Sequence, residues 1–232
     1  MNSNSTSKSK LTTAISRKEM TLRAYNLLEK GVAIVDPEKL DIRGKLSCGD
    51  NVTIDINVII EGNVILEDGV SIGASCILKD CIVGNKSIIN SFSIVDDANI
   101  GKSSFIGPYA QISPGTVIGD KVQIGNFVEI KNSTIDSKCR INHLSFIADS
   151  DLSDNVTIGA GTITCNHNGI KSNRIQIKNG AFIGSGTTLI APLIVNAKAT
   201  IAAGSTITND VPEGTLTLAR SKQVTIPSWE RI

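Results

Sequence analysis

The sequence predicts an all-β chain wound as a parallel β-helix, and three observations carry that prediction. Aliphatic residues recur every sixth position: Ile54, Ile60, Leu66, Ile72 and Leu78, then Ile100 through Ile130, then Ile177 through Ile207. Glycine follows the aliphatic residue in pairs such as Ile72-Gly73, Ile106-Gly107, Ile124-Gly125 and Ile183-Gly184. Aromatic residues make up only 3% of the 232 residues, so the core is built of β-branched chains in narrow, regular layers. A helix requires a period of 3.6 and a simple strand a period of 2. A period of six fits short strands joined by tight turns, three to a triangular coil of about 18 residues, stacked at the ~4.8 Å inter-strand spacing.

Residues 1–17, rich in Ser, Thr and Lys with no apolar run, read as a disordered tail, with a transit peptide as the competing reading. Residues 18–45 hold a short amphipathic helix, "KEMTLRAYNLLEK", closed by Gly31, and an entry segment. Residues 46–210 supply about nine coils, and residues 211–232 form a C-terminal tail. The strict period fails in "CNHNGIKSNRI", residues 165–175, a polar insertion that must loop out of its coil.

Lys and Arg number 23 against 22 Asp and Glu, a net charge of +1 that gives nucleic acid or anionic membrane no electrostatic hold. No apolar run is long enough to span a bilayer. Five cysteines, none in a C-x-x-C pair, read as small core residues in a reducing compartment, and the expected location is the cytoplasm. Tyr109, Phe127 and Trp229 read as packing residues or interface anchors.

Of the two histidines, His167 falls within the insertion and His143 about one coil upstream of it. A single histidine in a β-rich chain is usually structural. Here, however, His143 takes a hexad position that small residues normally fill, and Glu129 lies fourteen residues earlier, within about one coil. The loop is placed to act as a lid. An imidazole with an acidic partner suits general base work near neutral pH. A carbonic-anhydrase-type metal prism needs three histidines per metal and this chain has two, so no metal is expected.

The hexad resembles that of the hexapeptide-repeat acyltransferases, whose prisms are left-handed. More specifically, "IGPYAQISPG", "VQIGNFVEIK", "NHLSFIAD", "IGAGTITCN" and "ATIAAGSTIT" are similar to the C-terminal acetyltransferase domain of the bifunctional enzyme of UDP-N-acetylglucosamine synthesis. The resemblance implies a homotrimer that acetylates glucosamine 1-phosphate with acetyl-CoA, the sites lying between subunits. It implies His143 as base and Glu129 as its support, with Ala160, Asn166, His167, Ser185, Ala203 and Arg220 lining acetyl-CoA. His167 stands where the family has tyrosine. On the sugar phosphate side Lys131 is retained, but Ser113, Phe146, Thr157 and Ser172 replace an arginine, a tyrosine, an asparagine and a lysine, with Lys171 or Arg174 as substitutes for the last. Serine is a poor replacement for a bidentate arginine. The alternatives are therefore a different amino acceptor or a catalytically degenerate trimeric scaffold. The family's nucleotidyltransferase domain has no counterpart in this sequence, so uridylylation is not expected of it.

Overall fold

The structure, a computed structural model, describes residues 16–230. The segment read as a tail lies outside the described residues except for Ser16 and Arg17. Ser16 is the N-cap of helix α1 (Arg17–Glu29), its hydroxyl accepting from the Glu19 N–H at 3.3 Å. Gly31, at φ +91°, ends it in the left-handed region that glycine enters without cost. Met20 and Ala24 are buried against the open end of the prism, whereas Leu22 and Tyr25 stay exposed, because one stripe of the helix suffices to cover that end.

The remainder is a left-handed parallel β-helix of about ten turns. Its first face is an eleven-stranded sheet running from Ala33–Ile34 to Leu216–Thr217, and the other two faces share a second sheet. The strands thus begin before residue 46 and continue past residue 210; Val211 is buried and bridges Val195.

Each side points one aliphatic residue inward. Ile106, Ile124 and Ile141 stack on the first face, Ile112, Ile130 and Ile147 on the second, and Ile118, Ile135 and Leu152 on the third, all within 2% of full burial. Burying such a side chain contributes roughly 1.5–3 kcal/mol. The inner corners carry hydroxyls, several of which donate to backbone carbonyls: Ser104 to Gly119 at 2.9 Å, Ser150 to Ala148 at 2.6 Å and Thr187 to Gly184 at 2.6 Å. These small polar groups fit where an aliphatic chain does not, and none is left unpaired.

The period departs from six at more places than the insertion. Thr53 pairs with Ser71 and Phe105 with Gln123, 18 residues apart, but Gln123 pairs with Arg140 and Arg140 with Thr157, 17 apart. The missing residue is lost between the second and third faces, where Ile130 is followed inward by Ile135 and Ile147 by Leu152. Asn132 and Asp149 turn those corners at φ +46° and +41°. Short polar side chains tolerate that region better than most, which permits the tighter corner.

Candidate active site

The corner between the first and second faces is a column of equivalent positions: Asn126, His143, Ala160, Ser185 and Ala203. Backbone bonds fix their stacking. Leu144 N–H donates to the Asn126 carbonyl at 3.1 Å, Gly161 to His143 at 3.3 Å, Gly186 to Ala160 at 2.8 Å and Gly204 to Ser185 at 2.8 Å. At the top, Arg220 Nη1 donates to the Ala203 carbonyl at 2.9 Å. Five residues singled out from the sequence, His143, Ala160, Ser185, Ala203 and Arg220, therefore lie along one edge.

The residue after each column position has positive φ, and its identity divides the edge in two. In the lower turns it is Phe92, Tyr109, Phe127 and Leu144, at φ +63°, +54°, +56° and +50°. The three rings stack at centroid distances of 4.9 and 5.4 Å, so the two aromatics expected to pack do so on each other, half exposed. Trp229 is exposed. Above His143 the same position is Gly161, Gly186 and Gly204, at φ +75°, +67° and +72°. A Cβ on Gly161 would meet only Gly186, at 3.7 Å, and one on Gly204 would meet nothing within 4 Å. The lower turns show that side chains are tolerated at this φ. What the glycines provide is a bare backbone edge.

His143 is exposed and lines a 540 Å³ cavity with Phe105, Lys121, Gln123, Gly125 and Asn142, on the first-face side of the corner. The ring does not enter the aliphatic column. Its Nδ1 lies 2.5 Å from Oδ1 of Asn126, its register partner one turn earlier. Glu129 lies beyond the corner, in register with Gln111 and Phe146, and makes no hydrogen bond to the ring. Sequence reasoning missed Asn126. The signal was the 17-residue offset that aligns "GNFVE" with "INHLS".

The second face carries the other cluster. Lys131, Phe146, Asn166, His167 and Ser172 line a 440 Å³ cavity with Asp149 and Cys165. Lys131 is the only lysine or arginine in that lining. Ser113 sits one turn below Lys131, buried, its hydroxyl accepting from Gln111 Nε2 at 3.3 Å. Thr157 is elsewhere, on the first face between Arg140 and Phe182.

The insertion leaves after Cys165, at the far border of the second face, and so does not overhang the His143 of its own chain. Its base is held by Asn166, whose Nδ2 donates to the Asp149 and Asn173 carbonyls at 3.2 and 3.0 Å. Asn168 Oδ1 accepts from the N–H groups of Ile170 and Lys171 at 3.0 Å, making the turn. Arg174 is committed to Asp151, through Nε at 2.9 Å and Nη2 at 2.5 Å, and also donates to the Asn132 and Ser150 carbonyls. This pair raises its pKa above the ordinary guanidinium value. Arg174 is thus turned to the third face and does not stand in for the cation missing at Ser172.

All five cysteines are free thiols. Burial pushes Cys76 and Cys139 up to about 11 and Cys81 to about 12, which makes them inert core residues.

The chain is similar to the bifunctional protein GlmU of Ralstonia pickettii (strain 12J), 49% identical over 208 residues, or 90% of this chain and 46% of that protein. GlmU of Nitrosomonas europaea is 52% identical over 208 residues, 90% of this chain and 45% of that one. The chain spans about half the length of the curated relatives it matches. Among solved structures, a mutant of AntD, an N-acyltransferase from Bacillus cereus in complex with dTDP and coenzyme A, covers 54% of this chain and 77% of its own. It shows 17% identity and a TM-score of 0.46, a likeness too slight to bear on chemistry. The family model described as the GMPPB C-terminal domain matches residues 38–124 and 94–191. With those two stretches together running over more than half of its length, the chain belongs to the GMPPB C-terminal domain family.

Proposed function

We propose that the chain transfers an acetyl group from acetyl-CoA to the amine of an amino sugar phosphate, as a homotrimer in the cytoplasm. The observation that carries this reading is the bare glycine edge rising from His143 past Ala160, Ser185 and Ala203 to Arg220. An extended thiol carrier fits along such an edge, its amides meeting exposed backbone groups and its phosphates meeting the arginine. Gly159 N–H is occupied by the Ile183 carbonyl at 2.7 Å, whereas Ala160 N–H has no partner among the described residues and is the donor left for the thioester oxygen. The amine attacks the thioester carbon, the C–S bond breaks, and the amine proton passes to His143. The trimer is supported by the division of the site. His143 and the Lys131 cavity lie on opposite sides of one corner, so a site using both needs a second copy packed edge to face. The free thiols fit a reducing compartment.

The test is thiol release from acetyl-CoA with glucosamine 1-phosphate, for the native protein and for His143→Ala. The substitution should reduce turnover by about 10²–10⁴-fold with the assembly intact; undiminished turnover overturns the mechanism.

One observation favours a second reading, a scaffold without turnover. The cavity proposed for the phosphate has Lys131 as the only lysine or arginine in its lining, and Arg174 is engaged elsewhere. Calorimetry with acetyl-CoA separates the two, since a scaffold has no reason to bind it.

A further inference from the structure

The geometry points to Asn126 as the residue that positions His143, by accepting the Nδ1 proton and so holding the imidazole with its lone pair on Nε2. This assignment rests on the acetyl-transfer reading for its purpose, but not for its evidence. Asn126 and His143 are register partners in the parallel ladder, and their Oδ1 and Nδ1 atoms lie 2.5 Å apart. Stacking at the inter-strand spacing places such side chains directly over one another, so no loop rearrangement is needed to form the contact. Both backbones are pinned: the Asn126 carbonyl accepts from Leu144 and the His143 carbonyl from Gly161.

Three consequences follow from an amide oxygen at this place. It only accepts, so the ring nitrogen facing it carries hydrogen. It still accepts, and more strongly, when the ring becomes imidazolium, so the ring keeps its position while taking up a proton on Nε2. It also bears no charge. A carboxylate in the same place would favour the imidazolium and raise the histidine pKa, making the ring a poorer base at neutral pH. The charged group that shares the ring's cavity is Lys121, while Arg140 lies on the same strand and Glu129 beyond the corner. None is hydrogen-bonded to it among the described residues, so Asn126 is the contact that selects the tautomer.

The experiment uses the full chain, in which His143 and His167 are the only histidines to assign. In the ¹⁵N imidazole spectrum of the native protein, above the titration midpoint, His143 should show its proton on Nδ1 and an unprotonated Nε2. Asn126→Asp should move the His143 midpoint upward by about one unit or more, with His167 unmoved. The rising limb of the kcat/KM profile should shift with it, and activity should recover at high pH. Asn126→Ala should lower kcat roughly 3- to 10-fold, the worth of one hydrogen bond, with KM for acetyl-CoA retained. A proton found on Nε2, or an Asp variant whose His143 midpoint and pH profile stay where they were, overturns the assignment. If the native protein transfers no acetyl group, the function proposed above fails, while the spectrum still decides the tautomer.

Discussion

Arg220 donates to the carbonyl of Ala203 at 2.9 Å, so the C-terminal segment returns to the top of the same edge that begins at His143. Residues 218–230 belong to no strand; Ala219 is tied to Thr206 and Ser205, and the Arg220 contact fixes where the guanidinium stands. Arg220→Ala is expected to weaken acetyl-CoA binding roughly 10- to 100-fold, the range for one lost charge-assisted contact. Titration calorimetry reads the change, and kcat at saturating acetyl-CoA should remain within about threefold of native, because the arginine is several turns from the base.

The glycine edge is tested by extending the aromatic ladder into it. Phe127 shows that an aromatic side chain is accommodated at φ +56° in this column. Gly186→Phe should therefore fold, with a loss of about 1–2 kcal/mol for the left-handed backbone. The ring would cover the backbone between Ala160 and Ala203. Acetyl-CoA binding should fall below detection while the melting transition stays cooperative. Native affinity in a folded variant would remove the edge from the site.

Ser113 stands beside Lys131, the only cation of the second-face cavity. Ser113→Arg supplies a second one within reach of a bound phosphate. KM for glucosamine 1-phosphate should fall by roughly tenfold or more, as one charge-assisted contact predicts, while KM for unphosphorylated glucosamine stays unchanged. Equal effects on both acceptors would place the phosphate elsewhere.

On the third face, partial loss of hydration and the nearby carboxylates of Asp154 and Asp151 raise the Asp136 pKa above the ordinary carboxylate value. An acid with a raised folded pKa binds its proton more tightly in the native state, so stability falls as pH rises through the interval above the unfolded value. Asp136→Asn should thus increase stability at pH 7. The gain should shrink as pH falls toward 4 and vanish below it, where the native aspartate is protonated as well. Urea unfolding at pH 7 and pH 4 measures both limits.

The repeat was legible in the residues themselves because each coil solves the same packing problem with the same few side chains. Ile124, Ile130 and Ile141 had to be inward, and the polar run after Cys165 had to leave the prism. The glycine pairs and the small corner residues marked the turns. Linear spacing, however, does not reveal on which corner a residue sits once 17- and 18-residue turns are mixed. One residue lost between Ile130 and Ile135 changes the offset that links one coil to the next. For that reason Glu129 looked like the partner of His143, although the register pairs the histidine with Asn126. For the same reason the insertion looked like a lid, although the width of the second face separates the two. The sequence by itself determined the solenoid, its aliphatic column and the chemical identity of the candidate base. Only the folded chain decided what that base touches and where the bare edge runs, because lateral neighbours in a stacked ladder are set by hydrogen-bond register, a property of paired strands rather than of either strand alone.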